Sequence, residues 1–134
     1  MIRVKALVVI ARPGDGALLV FEGDDDHGGY ARPLGGSVEF GELAADGAAR
    51  EIEEELGCGL TSVGLLGVLE NRFVLAGREG HEIDFVFRAE PTDPTLYRRD
   101  SIPILDCPDV HAVWWSPTTH ASRLVPAGLT ELLA

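Results

Sequence analysis

The apolar residues of the chain follow two different periodicities. Short runs rich in Val, Leu, Phe and Trp are bounded by Gly, Pro or Asp clusters, which is the pattern of β-strands. These predicted strands are residues 3–11, 17–22, 60–75, 81–90 and 111–116. One region, residues 42–56, instead repeats apolar side chains every four positions and predicts an amphipathic helix.

The predicted helix has a well-defined apolar face and a clear end. Ala44, Ala48, Ile52 and Leu56 recur every fourth residue, and the remaining alanines of the stripe are Ala45 and Ala49. Small side chains allow a helix to lie close against a sheet. Gly57 follows the last periodic residue, where a glycine commonly ends a helix.

The segments between these elements complete the prediction. Residues 12–16, "RPGDG", are typical of a turn, so strands 3–11 and 17–22 are expected to pair as a hairpin. Residues 23–33 and the proline-rich residues 91–109 are predicted as loops, and Ser116-Pro117 as a helix start. Residues 126–134 suggest a short C-terminal helix. Hairpins mixed with single helices indicate an α/β (α+β) fold with a mixed sheet, formed by one domain over residues 1–134.

Composition narrows the classes of partner. The net charge of −11 makes nucleic acid an unlikely ligand and disfavours anionic membranes, and no apolar run reaches the length of a membrane span. Two cysteines, Cys58 and Cys107, are too few for a disulfide framework and lack zinc-site spacing, so a reducing, cytoplasmic setting is expected. A small anionic ligand remains compatible with this charge, because a divalent cation can bridge acid to acid.

The segment "REIEEELG", residues 50–57, concentrates acidic side chains on the predicted helix. Glu51, Glu54 and Glu55 lie three or four residues apart on one flank, whereas Glu53 points to the other side. Like charges at this spacing repel by roughly a few tenths of a kcal/mol per pair, so a solvated acidic face is one interpretation. The alternative is a cation site, because carboxylate oxygens are ligands for hard ions such as Mg²⁺. The cluster also lies at the helix C-terminus, where the macrodipole disfavours negative charge, and this favours the cation.

Two neighbouring features fit such a site without proving it. Arg50 precedes Glu54 by four residues, so its guanidinium is placed either to orient a carboxylate or to form an ordinary surface ion pair. The glycines of the pair Gly35-Gly36 have no side chains, so a ligand can approach their backbone carbonyls closely, and one of these could be an oxygen ligand. The alternative is that the pair only forms a turn.

The positions of these residues together resemble a known family motif. Gly36, Glu42, Arg50, Glu51, Glu54, Glu55 and Gly57 have the spacing of the Nudix box, which covers residues 36–58. Each fixed residue type makes up roughly 7 % of an average protein sequence, so the probability that all these positions match by chance at one starting position is on the order of 10⁻⁸. Glu39 adds the frequent lead-in to the box, although Leu and Pro are exchanged in its opening and Cys58 replaces a larger aliphatic residue.

The resemblance implies a fold, an activity and a set of roles. The fold would be an α/β/α sandwich with a mixed sheet, and the activity hydrolysis of a nucleoside diphosphate linked to another group, with Mg²⁺ (or Mn²⁺) as cofactor. By position in the box, Glu51, Glu54 and Glu55 would bind metal together with the Gly36 carbonyl. Arg50 would orient the glutamates, and Glu54 or Glu51 would be the base. Glu42 would support the loop–helix junction or an outer metal shell, and Glu39 would be a further supporting residue.

The resemblance leaves several points open. Some family members use an acid outside the box, and the candidates here are Glu79, Glu82 and Asp84, each of which is otherwise a turn or surface acid. The resemblance implies a small-molecule nucleotide as substrate, whose base and leaving group are unspecified, and family habit allows a homodimer. The alternative functions are a housecleaning nucleoside triphosphate pyrophosphatase and a non-catalytic nucleotide-sensing module.

Overall fold

The computed structural model describes residues 1–134. The chain forms eight strands, two α-helices and one 3₁₀ helix, Pro94–Arg98. The strands are β1 (Arg3–Val9), β2 (Leu18–Asp25), β3 (Gly28–Ser37), β4 (Leu60–Leu75), β5 (Arg78–Pro91), β6 (Ser101–Ile104), β7 (Cys107–Trp115) and β8 (Arg123–Leu124). The helices are α1 (Ala44–Leu56) and α2 (Leu129–Leu133).

Seven of the strands lie side by side in the order β4-β5-β1-β3-β2-β7-β6, and β8 pairs with β3. Strand β1 is antiparallel to β3 and parallel to β5, so the sheet is mixed, as the sequence predicts. The apolar run Ala6–Ile10 is buried because it lies in the centre of this sheet.

The two α-helices cover opposite faces of the sheet. Ala48 and Ile52 of α1 belong to the main core, which also contains Phe87 of β5. Leu129 of α2 packs with Val9 and Val86 in a second cluster. Since Val86 and Phe87 are consecutive residues of one strand, they point to opposite faces. The predicted α/β/α sandwich is therefore confirmed.

Helix α1 follows the predicted pattern with two differences. It begins at Ala44, two residues later than expected, and ends at Leu56, where Gly57 adopts a left-handed conformation (φ 73°) and donates its backbone N–H to Glu53. Ala45 and Ala49 are exposed, so the buried stripe is narrower than the alanines suggested. It is narrow because only one edge of the helix, around Ala48 and Ile52, meets the sheet.

The predicted hairpin between residues 3–11 and 17–22 forms only beside its turn, where Ala11 pairs antiparallel with Leu18. The turn at 12–16 forms, and Leu19 donates its N–H to Ile10 at 3.0 Å, but beyond this point the strands diverge. Strand β1 pairs with β3 and β5, whereas β2 pairs with β3 and β7. The apolar pattern predicts that both segments are strands, but it does not identify their partners.

The two predicted loops both contain strands. Residues 23–33 form the end of β2, a turn and the start of β3. Arg123 stabilises this polar hairpin by donating to the Gly29 carbonyl at 3.2 Å and by forming an ion pair with Asp25. Residues 91–109 contain the 3₁₀ helix, β6 and the start of β7. Strand β6 tolerates Pro103 because it is an edge strand.

The C-terminal predictions are partly correct. Residues 117–119 form a turn rather than a helix, and Thr119 donates its N–H to the Ser116 carbonyl at 3.2 Å. The expected C-terminal helix is present but is limited to Leu129–Leu133. Neither helix has the length and apolar character needed to span a membrane.

Candidate active site

Arg50 ties the loop before α1 to the helix. Its Nε and Nη2 donate to the two carboxylate oxygens of Glu42 at 2.8 and 3.0 Å, and Nη2 also donates to the Ser37 carbonyl at 2.9 Å. Glu42 in turn accepts the backbone N–H of Glu39 at 3.1 Å. The bidentate geometry fixes both partners, so the loop is anchored at the end of β3 and at the second turn of the helix.

The same guanidinium holds two acids of the helix. Arg50 Nη1 donates to Glu51 Oε1 at 3.1 Å and to Glu54 Oε1 at 3.2 Å, and it lies 3.7 Å from Glu39. The repulsion expected among these carboxylates is thus partly offset by one cation. Glu53 is exposed and makes no side-chain hydrogen bond or ion pair, as its position on the other side of the helix predicts.

Glu42 is strongly held in its ionised form. The hydrogen bonds from Arg50, followed by the backbone N–H of Glu39, lower the pKa of Glu42 from 4.5 to about 2. A carboxylate already saturated by a guanidinium has little capacity left for a metal. Its contacts are those of a residue that shapes the loop.

Glu55 has the opposite environment. Its side chain is buried, with 5 % of the residue exposed, and Oε1 has no hydrogen-bond partner. Burial first, then the charges of Glu51 and Asp106, raise the pKa of Glu55 from 4.5 to about 8, although Arg32 acts in the other direction. A backbone hydrogen bond from Gly35 also lowers this pKa, so only Oε1 lacks a partner. A buried carboxyl oxygen without a partner is costly, and a bound cation is one way to compensate it.

Gly36 leaves the space that the Glu51 carboxylate occupies. A Cβ built on Gly36 would lie 2.5 and 2.6 Å from the two oxygens of Glu51, closer than real contacts allow. The absence of a side chain therefore lets a helical acid approach the end of β3. This brings the Gly36 backbone next to Glu51 of α1.

The donor set fits a hard divalent cation. Glu51, Glu54, Glu55 and the Gly36 carbonyl supply only oxygen ligands, and Glu55 contributes a buried oxygen that no protein group satisfies. No three acidic, histidine or cysteine side chains are arranged around one point in the structure. Glu51 and Glu54 are instead turned to Arg50.

The candidate acids outside the box lie elsewhere. Glu79, Glu82 and Asp84 all belong to β5, and Asp84 shares the face of Val86, which packs on α2 rather than α1. Asp84 is fully buried; burial, then Glu82, raise its pKa from 3.8 to about 7. The structure therefore does not bring these acids together with the glutamates of α1.

Asp106 is the acid that the sequence analysis missed. It lies in the turn between β6 and β7, and its charge contributes to the raised pKa of Glu55. The turn is fixed to α1 by the adjacent Leu105, which donates its N–H to the Glu55 carbonyl at 2.9 Å. No motif marks Asp106, because its position depends on strands that were predicted as a loop.

Comparison with known proteins places this site in a family. A model of the NUDIX domain matches residues 1–130. A comparison with curated proteins gives no significant match. Among solved structures, the crystal structure of a MutT NUDIX hydrolase from Burkholderia pseudomallei is 26 % identical, with a TM-score of 0.68, and the alignment covers 99 % of this chain and 97 % of that one.

Two further structures are similar over nearly the whole chain. The solution structure of the E. coli ORF135 protein is 25 % identical, with a TM-score of 0.56, covering 99 % of this chain and 87 % of that one. A NUDIX hydrolase from Nitrosomonas europaea is 18 % identical, with a TM-score of 0.55 and coverages of 99 % and 86 %, and it supports the fold alone. The match over residues 1–130, together with the glutamates gathered on α1, shows that the chain belongs to the Nudix family of hydrolases, which act on pyrophosphate bonds.

Proposed function

We propose that this Nudix hydrolase cleaves a phosphoanhydride bond in a nucleoside diphosphate linked to another group, or in a nucleoside triphosphate, using Mg²⁺ or Mn²⁺. The main support for a metal is Glu55, whose buried Oε1 has no hydrogen-bond partner. The same helix carries Glu51 and Glu54, which Arg50 contacts. A solvated acidic face does not account for Glu55 Oε1, because a solvated carboxylate is satisfied by water.

The proposed ligands are Glu51, Glu54, Glu55 and the Gly36 carbonyl. When bound, a divalent cation neutralises pyrophosphate oxygens, stabilises charge on the leaving phosphate and acidifies water. The side chains of the protein supply position and proton transfer. Arg50 limits the rotamers of Glu51 and Glu54, and Glu42 fixes Arg50 in turn.

Glu54 is the favoured base. Its side chain is 45 % exposed, against 17 % for Glu51, so Glu54 has the better access to a water molecule next to a substrate phosphate. It also keeps a carboxylate oxygen 3.2 Å from Arg50 Nη1, which holds it at the site. Glu51, which lies against Gly36, is better placed as a ligand.

The test is a screen of nucleotide derivatives with Mg²⁺ in which the products are identified. A linked diphosphate should give two monophosphate products, whereas a housecleaning triphosphate pyrophosphatase should release pyrophosphate and a nucleoside monophosphate. Chelation by EDTA should abolish turnover and added Mg²⁺ should restore it. Nucleotide binding without cleavage across the panel would instead indicate a sensing module.

A pair of variants on one helix assigns the role of Glu54. Glu54→Gln should lower kcat by about 10²–10⁴-fold with an unchanged melting temperature. Glu53→Gln is the matched control, since Glu53 is an exposed acid on the same helix without a side-chain partner. Equal activity of the two variants would refute the proposed role of Glu54.

A further inference from the structure

The two edges of the sheet differ in how well they are protected from pairing with another strand. Strand β6, at one edge, has four residues and contains Pro103, and short edge strands with proline resist such pairing. Strand β4, at the other edge, has sixteen residues. Its residues 67–75 contain neither proline nor lysine, and none of them forms a backbone hydrogen bond to a turn or loop. The outer side of β4 is therefore open to a further strand.

Only one part of β4 is regular enough to pair over its full length. Its ladder with β5 shifts register between Thr61 and Gly64 and again between Leu65 and Gly67. From Gly67 to Leu75 the ladder continues without a shift. Because register shifts disrupt strand pairing, a new neighbour can pair regularly with residues 67–75. The middle residue of this segment is Asn71.

The segment is complementary to its own reverse. If a second copy pairs antiparallel about Asn71, Glu70 of each chain lies opposite Arg72 of the other. Val68 then lies opposite Val74 on the same face, and these two side chains are 47 % and 43 % exposed in one chain. Opposite charges and β-branched pairs both stabilise neighbouring strands when they lie directly across from each other.

The charges of this segment have no such partner within one chain. Glu70 and Arg72 are exposed, and neither forms an ion pair. On β5, Ile83 lies opposite Glu70 and His81 lies opposite Arg72. The antiparallel copy would thus supply each charge with the opposite charge that the chain itself does not place there.

The other face of the segment matches in its apolar character. Leu69 would lie opposite Phe73 of the second copy, and Leu75 opposite Gly67. Phe73 and Leu75 are 37 % and 41 % exposed in one chain. Gly67 lies under α2, since a Cβ on this glycine would be 2.8 Å from Leu132. Leu75 of the second copy would therefore lie beside the apolar surface of α2.

We propose that β4 is an interface at which two copies of this chain form a two-fold symmetric dimer centred on Asn71. The two sheets join edge to edge through residues 67–75, as an isologous contact requires. The agreement of charge and apolar pattern with the reversed segment favours a second copy over an unrelated protein. The inference does not depend on the proposed hydrolysis, because neither the metal nor a substrate takes part in it.

Sedimentation equilibrium of the full chain, at about 1 to 200 µM and low salt, tests the association. We expect a reversible equilibrium between the 14.4 kDa monomer and a species of twice that mass. Glu70→Arg and Arg72→Glu each place like charges opposite each other at two symmetric positions, so each should weaken the dimer about 10-fold or more. The combined variant restores opposite charges and should associate within about threefold of the wild type. Asp109→Arg, the same charge change as Glu70→Arg on an exposed residue of β7, is the control and should associate as the wild type does.

Cross-linking tests the register without reversing a charge. In a protein whose two native cysteines are replaced by serine, Asn71→Cys places one thiol opposite its own copy, at a distance suited to a disulfide. Oxidised glutathione should therefore convert this protein to a covalent dimer. Val74→Cys is the control, because its two copies would lie six residues apart along the strands, about 20 Å, and should not cross-link.

Each outcome decides the inference. A wild-type protein that stays monomeric throughout the concentration range would overturn it, and so would a dimer that neither charge reversal weakens. Failure of the combined variant to recover association would also overturn it, as would equal cross-linking at positions 71 and 74. Loss of the dimer in each single variant and its return in the combined variant would support the inference, whatever the nucleotide screen shows. The wild-type mass and the cross-linking decide the matter if a charge reversal prevents folding.

Discussion

Replacing Glu55 by glutamine tests the feature on which the metal site depends. In the metal-free protein the Glu55 carboxyl is buried, Oε1 lacks a partner, and burial together with Glu51 and Asp106 raises its pKa to about 8. Its ionisation therefore opposes folding. Between the ordinary pKa of 4.5 and the raised pKa of about 8, the folded protein keeps the Glu55 proton, whereas the unfolded chain has lost it. The free energy of unfolding is therefore highest at low pH, where both states are protonated. That stability is lost as the pH rises from about 4.5 to about 8.

The magnitude follows from the size of the pKa shift. While the folded state holds one extra proton, the free energy of unfolding falls by about 1.4 kcal/mol per pH unit. A rise in pKa from 4.5 to about 8 corresponds to at most about 5 kcal/mol, an upper limit because water and side-chain movement relieve part of the penalty. Asp84, whose pKa is also raised, contributes a slope of the same sign up to about pH 7. Glu55→Gln should therefore reduce the slope without abolishing it.

Urea unfolding in EDTA at several pH values between 4.5 and 8 measures this slope. We expect the metal-free Glu55→Gln protein to approach or exceed wild-type stability near pH 8 and to gain little on addition of Mg²⁺, whereas the wild type gains through metal binding. Glu53→Gln, from the exposed side of α1, should follow the wild type throughout. A Glu55→Gln protein with the wild-type pH slope and the wild-type response to Mg²⁺ would refute the reasoning.

Three further substitutions test the parts around the metal site. Gly36→Ala would place a Cβ 2.6 Å from Glu51 Oε2 and displace that carboxylate, so kcat/KM should fall about 100-fold with the fold retained. Gly64→Ala is the control, because a Cβ there meets no neighbour, and it should have no effect. Arg50→Lys loses the bidentate contact and should reduce kcat/KM by about 10- to 100-fold; wild-type kinetics would show that orientation by Arg50 is unimportant. Because the pKa of Glu42 is lowered, its ionised form stabilises the protein above pH 4.5, and this stabilisation is lost as the pH falls from 4.5 to about 2. The melting temperature of Glu42→Gln should therefore depend less on pH over that range than that of the wild type. An unchanged dependence would contradict this.

The local chemistry of the site was largely predictable from sequence. The four-residue repeat through Ala48 and Ile52 predicts the helix and its buried side, and Gly57 predicts its end. The same periodicity sends Glu53 away from the other acids. These features depend on residues within one or two helical turns, which is the range over which a sequence pattern carries structural information.

Features that depend on distant contacts were not predictable. The turn at Leu105 and Asp106 lies about fifty residues further along the chain, yet it is hydrogen-bonded to Glu55 at the end of α1 and contributes to the raised pKa of that residue. Asp84 is hidden within an apolar strand segment, and only the pairing of β5 with β1 and β4 shows that it is fully enclosed. Strand partners depend on which elements come together in the folded chain, and the apolar pattern of β1 is compatible with several neighbours.

The central claim is that the acids of α1 hold divalent ions that activate phosphoanhydride cleavage. A crystal grown or soaked with Mn²⁺ tests it most directly through anomalous scattering. The account predicts an anomalous peak within bonding distance of Glu51, Glu54, Glu55 and the Gly36 carbonyl, with Glu51 and Glu54 turned from Arg50 to the ion. A fully soaked crystal without such a peak, in which Glu55 remains buried and unpartnered, would contradict it.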